Sequence, residues 1–155
     1  MDLLAILSVL PLGAMIRSDF RERRIHIAWL GLFAVAQAVY GYYRLGLAAV
    51  VANMAGNALF LAILYLFLWF YVCCIRRHEL KSFGNAIGAG DLLFLPALCP
   101  LLGLRQFVVF LTVSFALTLA GYAAYKKLSG RAATIPLVGT VGICFAVYLI
   151  TDVLA

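Results

Sequence analysis

The chain is poor in charged residues and lacks the residue patterns of common metal sites, disulfide frameworks and nucleophilic triads. Only 12% of its 155 residues are charged, and it has six Asp and Glu residues and two His residues. Its four cysteines show no CxxC spacing, so neither a zinc ribbon nor a disulfide framework is indicated. The histidines lie in separate predicted loops, and no Ser, His or Cys stands in a triad-like setting. The sequence therefore argues against a zinc-cluster fold and against a nucleophilic triad.

Apolar residues dominate instead. They make up 66% of the chain, and the mean hydropathy is +1.09, whereas soluble domains are nearer half apolar and a quarter charged. We therefore expect an all-α, polytopic integral membrane protein that forms a single domain over residues 1–155. Six apolar runs could each supply a membrane helix, at about 2–18, 25–43, 46–75, 86–104, 105–125 and 135–151.

The basic residues predict the orientation of these helices. Ten of the twelve Lys and Arg residues fall in the first, third and fifth connections, and Arg44 and Arg105 fall in the other two. Because cytoplasmic loops carry the excess of positive charge, both termini are expected outside. Arginines follow the first run and Asp2 precedes it, the reverse of a secretory signal, so this run is expected to be a retained helix. Topology accounts for the net charge of +6, and no nucleic-acid partner is expected.

Two acidic residues are the candidate site. Asp91 follows Gly88-Ala89-Gly90 inside the fourth apolar run, where a carboxyl is costly unless it is paired or hydrated. Asp19 ends the first run, and the predicted topology puts both residues at the cytoplasmic face. Taken singly, Asp91 could be a helix N-cap and Asp19 a solvated charge among arginines. Taken together, they predict a shared carboxylate site.

Such a pair has a known chemistry. Two carboxyls held close together in a low-dielectric site cannot both ionise, so they share one proton. One member can then deprotonate a water while the other donates a hydrogen bond to a scissile carbonyl. This mechanism needs no metal and no cofactor, and none is expected. Gly88 and Gly90 would let an extended substrate backbone lie beside a carboxylate.

At these motifs the chain resembles the type IV prepilin peptidases and preflagellin peptidases, the GxGD membrane aspartyl proteases. The stretch Asp19-Phe20-Arg21-Glu22-Arg23-Arg24-Ile25 is similar to the first-Asp motif of that family, and Gly88-Ala89-Gly90-Asp91 is similar to the second. Thr134-Ile135-Pro136-Leu137 is similar to the start of its last helix. The resemblance covers the whole chain in helix count, orientation and motif order.

The resemblance implies that Asp19 and Asp91 are the catalytic dyad of an aspartic endopeptidase. Arg21 and Arg24 set the topology first and are candidates for contact with the substrate. The implied substrate is a pilin-like precursor, whose basic leader is cut at the cytoplasmic face of the bacterial inner membrane. The other implied partner is membrane lipid.

The chain also departs from the family. His26-Ile27 stands where Pro-Asn is common, and Leu93 stands where Lys is common. Longer bacterial members carry a cytoplasmic insert with paired CxxC motifs and N-methylate their product; this sequence has no such insert, so methyl transfer is not expected. Two alternatives remain open. One is an inactive relative that binds pilin-like helices, and the other is a small transporter subunit whose carboxyls bind an ion or relay protons.

Overall fold

The computed structural model describes the backbone of residues 2–22, 26–71, 89–129 and 137–154, and the side chains of residues 7–21, 26–71, 90, 92–127 and 137–152. Over these ranges the chain forms helices and no strand, which confirms the all-α prediction. In chain order the helices are α1 (Asp2–Glu22), α2 (Ile27–Leu45), α3 (Leu47–Phe70), α4 (Ala89–Ala97), α5 (Leu104–Ser129) and α6 (Leu137–Leu154).

A single glycine joins α2 to α3. Gly46 has a φ of +81°, and its N–H donates to the carbonyl of Tyr42 at 3.0 Å, which closes the last turn of α2. Residues with a Cβ are strained at this φ, so glycine is the residue that ends one helix and starts the next without a longer loop. The turn brings Val50 of α3 against Gly41 of α2, and the two helices pack on each other.

The fourth apolar run differs from the expected continuous span over 86–104. Its described helix, α4, ends at Ala97, and residues 98–103 form a turn that leads into α5. The amides of Leu98 and Cys99 bond to carbonyls three residues earlier, which tightens the end of the helix. Pro100 has no amide hydrogen to continue the ladder, and it disfavours helical geometry at the residue before it. The prediction of one unbroken helix is therefore wrong at this C-terminal end.

Aromatic side chains join the helices at the core. The fully buried Phe33 of α2 has its ring centre 5.9 Å from that of Phe94 in α4 and 5.9 Å from that of Phe145 in α6. Phe110 of α5 is 5.7 Å from Phe145. Helix α1 packs against α2 and α6. Helices α2 and α6 thus connect α1, which carries Asp19, to the rest of the core.

The outer faces of the bundle are apolar. Among the described helices, α3 and α5 are long and apolar enough to cross a membrane, and only 17% and 22% of their most apolar segments are buried. Helix α6 contributes a shorter apolar stretch, Leu137–Asp152. Leu59 and Phe67 of α3 and Leu119 of α5 are more than three-fifths exposed, at 64%, 69% and 63%. Soluble monomers rarely expose contiguous apolar surface of this kind.

Candidate functional site

Asp19 is buried and bonded to the backbone of another helix. It lies in the last turn of α1, which continues to Glu22, and it is only 7% exposed. Its Oδ2 atom accepts a hydrogen bond from the amide of Gly139 at 2.6 Å. Asp19 is therefore not solvated, contrary to the alternative of a solvated charge among arginines. The carboxylate is instead built into the interface between α1 and α6.

Two glycines on one face of α6 allow this close approach. A Cβ placed on Gly139 would lie 2.6 Å from the ring of Phe20, and one on Gly142 would lie 2.9 Å from the side chain of Ile16. Both distances are shorter than van der Waals contact permits, so a larger residue at either position would force the contacting side chain of α1 to move. Small residues on one helix face are what membrane helices use for tight packing. Gly139 therefore leaves room for the Phe20 ring beside the amide that Asp19 contacts.

The first turn of α6 is also held from the side of α5. Thr118 is 6% exposed, and its hydroxyl oxygen lies 2.8 Å from that of Thr140, the residue that follows Gly139. The Thr118 hydroxyl also bonds to the carbonyl of Ser114 at 2.7 Å. The Ser114 hydroxyl is buried and has no partner within the described part of the chain. Helix α5 thus places polar groups beside the turn that contacts Asp19.

Asp91 is the third residue of α4, and its side chain lies outside the described residues. Because the helix is described from Ala89, Asp91 lies inside it and not at its N-cap. Helix α3 fixes the backbone that carries Asp91. The hydroxyl of Tyr65 donates to the carbonyl of Leu92, the next residue, at 3.0 Å.

A second contact from α3 holds the turn that follows α4. The Asn57 amide is fully buried and donates to the carbonyls of Cys99 and Leu102 at 3.1 and 2.6 Å. These are carbonyls of the turn after α4, where the helix itself supplies no donors. Tyr65 and Asn57 together fix both ends of the segment that begins with Asp91.

An ion pair marks the opposite end of the bundle. Arg44, in the last turn of α2, pairs with the carboxylate of Asp152 near the end of α6, and it also donates to the hydroxyl of Tyr40 at 2.9 Å. Gly139 precedes Asp152 by about 20 Å along α6, and Tyr65 follows the Gly46 turn by about 28 Å along α3. Asp19 and the backbone beside Asp91 therefore lie at the same end, far from Arg44.

The other predicted site residues have different outcomes. Arg21 is exposed in the last turn of α1. Gly90 is the second residue of α4 and is half-buried. Gly88 and Arg24 lie outside the described residues. No group of three His, Cys, Asp or Glu side chains that could hold a metal ion occurs among the residues that the structure describes.

Sequence reasoning missed the contribution of α6. The motif Thr134-Ile135-Pro136-Leu137 predicts the start of this helix, which the structure describes from Leu137, but nothing in that motif points to the amide of Gly139. The available signal was the pair Gly139 and Gly142, three residues apart on an apolar helix. Residues three apart lie on the same face of a helix, and small residues on that face let another helix pack closely.

No family model matches the chain, and no curated protein or solved structure is significantly similar to it. A functional assignment therefore depends on the geometry and chemistry of the site itself.

Proposed function

We propose that this chain is a multi-pass aspartic endopeptidase of the bacterial inner membrane, with Asp19 and Asp91 as its catalytic pair. The observation that carries the proposal is the buried Asp19 carboxylate, bonded to the amide of Gly139 at 2.6 Å. It lies at the end of the bundle where α4 carries Asp91. A carboxylate inside an apolar helix bundle is costly, and proteins retain one mainly for function.

The exposed apolar faces support the membrane part of the proposal. Leu66 and Phe67 at one end of α3 and Leu117 of α5 are more than half exposed, at 62%, 69% and 57%, and lipid would cover them. The partition of basic residues then places the Asp19 end in the cytoplasm and the Arg44 end outside. Cysteine labelling of intact cells should find Arg24→Cys protected and Arg105→Cys accessible. Accessibility of both from outside would contradict this topology.

In the proposed reaction, the carboxyl pair holds one proton and activates a water. The water oxygen bonds to the carbonyl carbon of the scissile peptide while one carboxylate takes a proton from the water. The other carboxyl gives its proton to the carbonyl oxygen, so a neutral diol forms. Collapse of the diol breaks the C–N bond, moves a proton to the leaving amine and returns the pair to its starting state.

The substrate class follows from the motifs and from the position of the pair. A carboxyl pair near the cytoplasmic face would cut a peptide bond just outside the bilayer. A pilin-like precursor presents such a bond between its basic leader and its apolar helix. The similarity of the Asp19 and Asp91 motifs to those of prepilin peptidases supports this choice.

Co-expression with a pilin-like precursor from the same genome tests the proposal. The unmodified chain should shorten the precursor on a gel, and Asp19→Asn or Asp91→Asn should abolish the shift, because an amide cannot share or shuttle a proton. Glu22→Gln should retain activity, which makes it a matched control for loss of one acidic charge. Because the two Asp residues act as one unit, the double variant should be little worse than either single variant.

The contrary results are equally clear. Cleavage retained in both Asp variants, or lost from the unmodified chain when a chelator is added, would refute the dyad. Failure of the unmodified chain on every precursor of that genome would instead favour an inactive relative that binds pilin-like helices.

A further inference from the structure

The contact between Asp19 and α6 favours the ionised form of Asp19 over the protonated form. Gly139 is the third residue of α6, and the first-turn amides of a helix have no partner inside it. They carry the positive end of the helix dipole, which favours a negative charge at that place. The hydrogen bond of 2.6 Å to Oδ2 is therefore stronger when Asp19 is ionised than when it is protonated.

This preference determines which of the two Asp residues carries the shared proton. In a carboxyl pair that holds one proton, the proton resides on the member whose ionised form is less favoured. The Gly139 amide is fixed by the close packing of α1 on α6 and by the Thr118–Thr140 contact. Because it is fixed before any substrate binds, it costs no rearrangement during the reaction.

Starting from the proposed peptidase function, we propose that the first turn of α6 keeps Asp19 ionised, so that Asp19 is the general base and Asp91 enters the reaction protonated. Asp19 then takes the proton from the attacking water, and Asp91 gives its proton to the carbonyl oxygen. When the diol collapses and the C–N bond breaks, Asp19 passes its proton to the leaving amine and Asp91 regains one from a diol hydroxyl. Gly139 is a positioning residue that acts through its main-chain amide.

Other charges at this end of the bundle must be considered in a titration. On α1 the exposed Arg17 and Arg21 are permanent cations, and the exposed His26 precedes α2. Helix α6 has no titratable side chain between Leu137 and Ile143. Because Arg17 and Arg21 are the same in every variant, and His26 can be changed to Gln in all of them, a shift between variants can be assigned to the Gly139 contact.

The decisive comparison removes one amide hydrogen. Proline at position 139 eliminates the donor, and it is tolerated in the first turn of a helix. Alanine at the same position adds bulk but keeps the donor. Both changes are made together with Phe20→Ala, because a Cβ at position 139 would otherwise meet the Phe20 ring at 2.6 Å. The measurement is the pH profile of leader cleavage in vesicles.

Loss of the Gly139 donor should move the acidic limb of the pH profile to higher pH. A hydrogen bond to a charged group favours the ionised form, so without it Asp19 takes up a proton at a higher pH. Phe20→Ala/Gly139→Pro should shift the limb by about one pH unit relative to Phe20→Ala/Gly139→Ala, with about tenfold lower activity on its acidic side. Coincident profiles for the two double variants would overturn the proposal.

Two further variants cover the case in which the proline chain does not fold. Gly139→Ala alone should displace the Phe20 ring and weaken the bond to Asp19, so it should shift the limb in the same direction. Adding Phe20→Ala to this variant should return the limb to its original pH. Gly142→Ala disturbs the same helix pair at Ile16 without touching the Gly139 amide, and it should leave the limb in place. An equal shift in Gly142→Ala would show that packing alone is responsible and would overturn the proposal.

Infrared titration separates this inference from the peptidase function. The absorption of the protonated Asp19 carboxyl, assigned by its loss in Asp19→Asn, should appear at a higher pH in the proline variant whether or not the chain cuts a precursor. The infrared shift without cleavage by the unmodified chain would support the contact with α6 and refute the peptidase. Cleavage by that chain without the infrared shift would refute the inference alone.

Discussion

Replacing Asn57 with Leu should destabilise the chain and lower cleavage, although Asn57 is far from the proposed chemistry. Leu has nearly the same volume, so no cavity opens, and the effect comes from two lost hydrogen bonds, to Cys99 and Leu102 at 3.1 and 2.6 Å. Each bond contributes about 0.6 kcal/mol on average in membrane proteins and up to about 1.5 kcal/mol in general. Losing both should cost about 1–3 kcal/mol.

The assay is unfolding in mixed micelles as the fraction of denaturing detergent increases, with leader cleavage measured on the same preparations. Asn53→Leu is the matched control, because Asn53 lies one turn earlier on α3 and is half-buried, and no hydrogen bond of its side chain occurs among the described residues. Asn57→Leu should unfold at clearly lower detergent than Asn53→Leu. Equal stability of the two variants would refute the reasoning that Asn57 anchors the turn after α4.

Two more predictions concern the other contacts of the bundle. Tyr65→Phe removes the 3.0 Å hydrogen bond to the Leu92 carbonyl, so it should lower cleavage several-fold at a stability cost of only about 0.5–1.5 kcal/mol. The control Tyr71→Phe, on the exposed surface, should change neither cleavage nor stability. Equal cleavage by the two variants would mean that Tyr65 does not position α4. A double-mutant cycle of Arg44→Ala and Asp152→Ala should give a coupling energy of about 0.5–1 kcal/mol, because the two side chains are partly exposed, at 29% and 19%. Cleavage should be retained, because this pair lies at the end of the bundle opposite Asp19. A coupling energy near zero would mean that the ion pair does not stabilise the bundle.

Apolar length predicted most of the helices. Helix α3 begins at Leu47 and α5 at Leu104, close to the expected starts at 46 and 105. Long apolar runs between charged connections leave little choice of secondary structure in a membrane, because every backbone amide must be bonded internally. The end of α4 was also readable from the sequence, since Pro100 lies within the fourth run, three residues beyond Ala97.

The side-chain contacts were only partly predictable. Asn57 is a polar residue within an apolar run, and it donates hydrogen bonds to carbonyls of the turn after α4. Gln37 is also polar within an apolar run, but both of its amide atoms are buried without a partner in the described part of the chain. The partner of Asp19 could not be predicted, because a main-chain amide has no sequence signature and Gly139 follows Asp19 by 120 positions.

Cross-linking measures the central claim most directly, which is that Asp19 and Asp91 share one site. In a chain whose native cysteines are replaced by serine, Asp19→Cys with Asp91→Cys should be joined by a short bifunctional maleimide. The pair Asp152→Cys with Asp91→Cys should not, because Asp152 is at the other end of the bundle. We expect the carboxyl groups of Asp19 and Asp91 to lie within about 3–7 Å of each other, directly or across a water. Cross-linking of Asp91→Cys to position 152, with none to position 19, would contradict it.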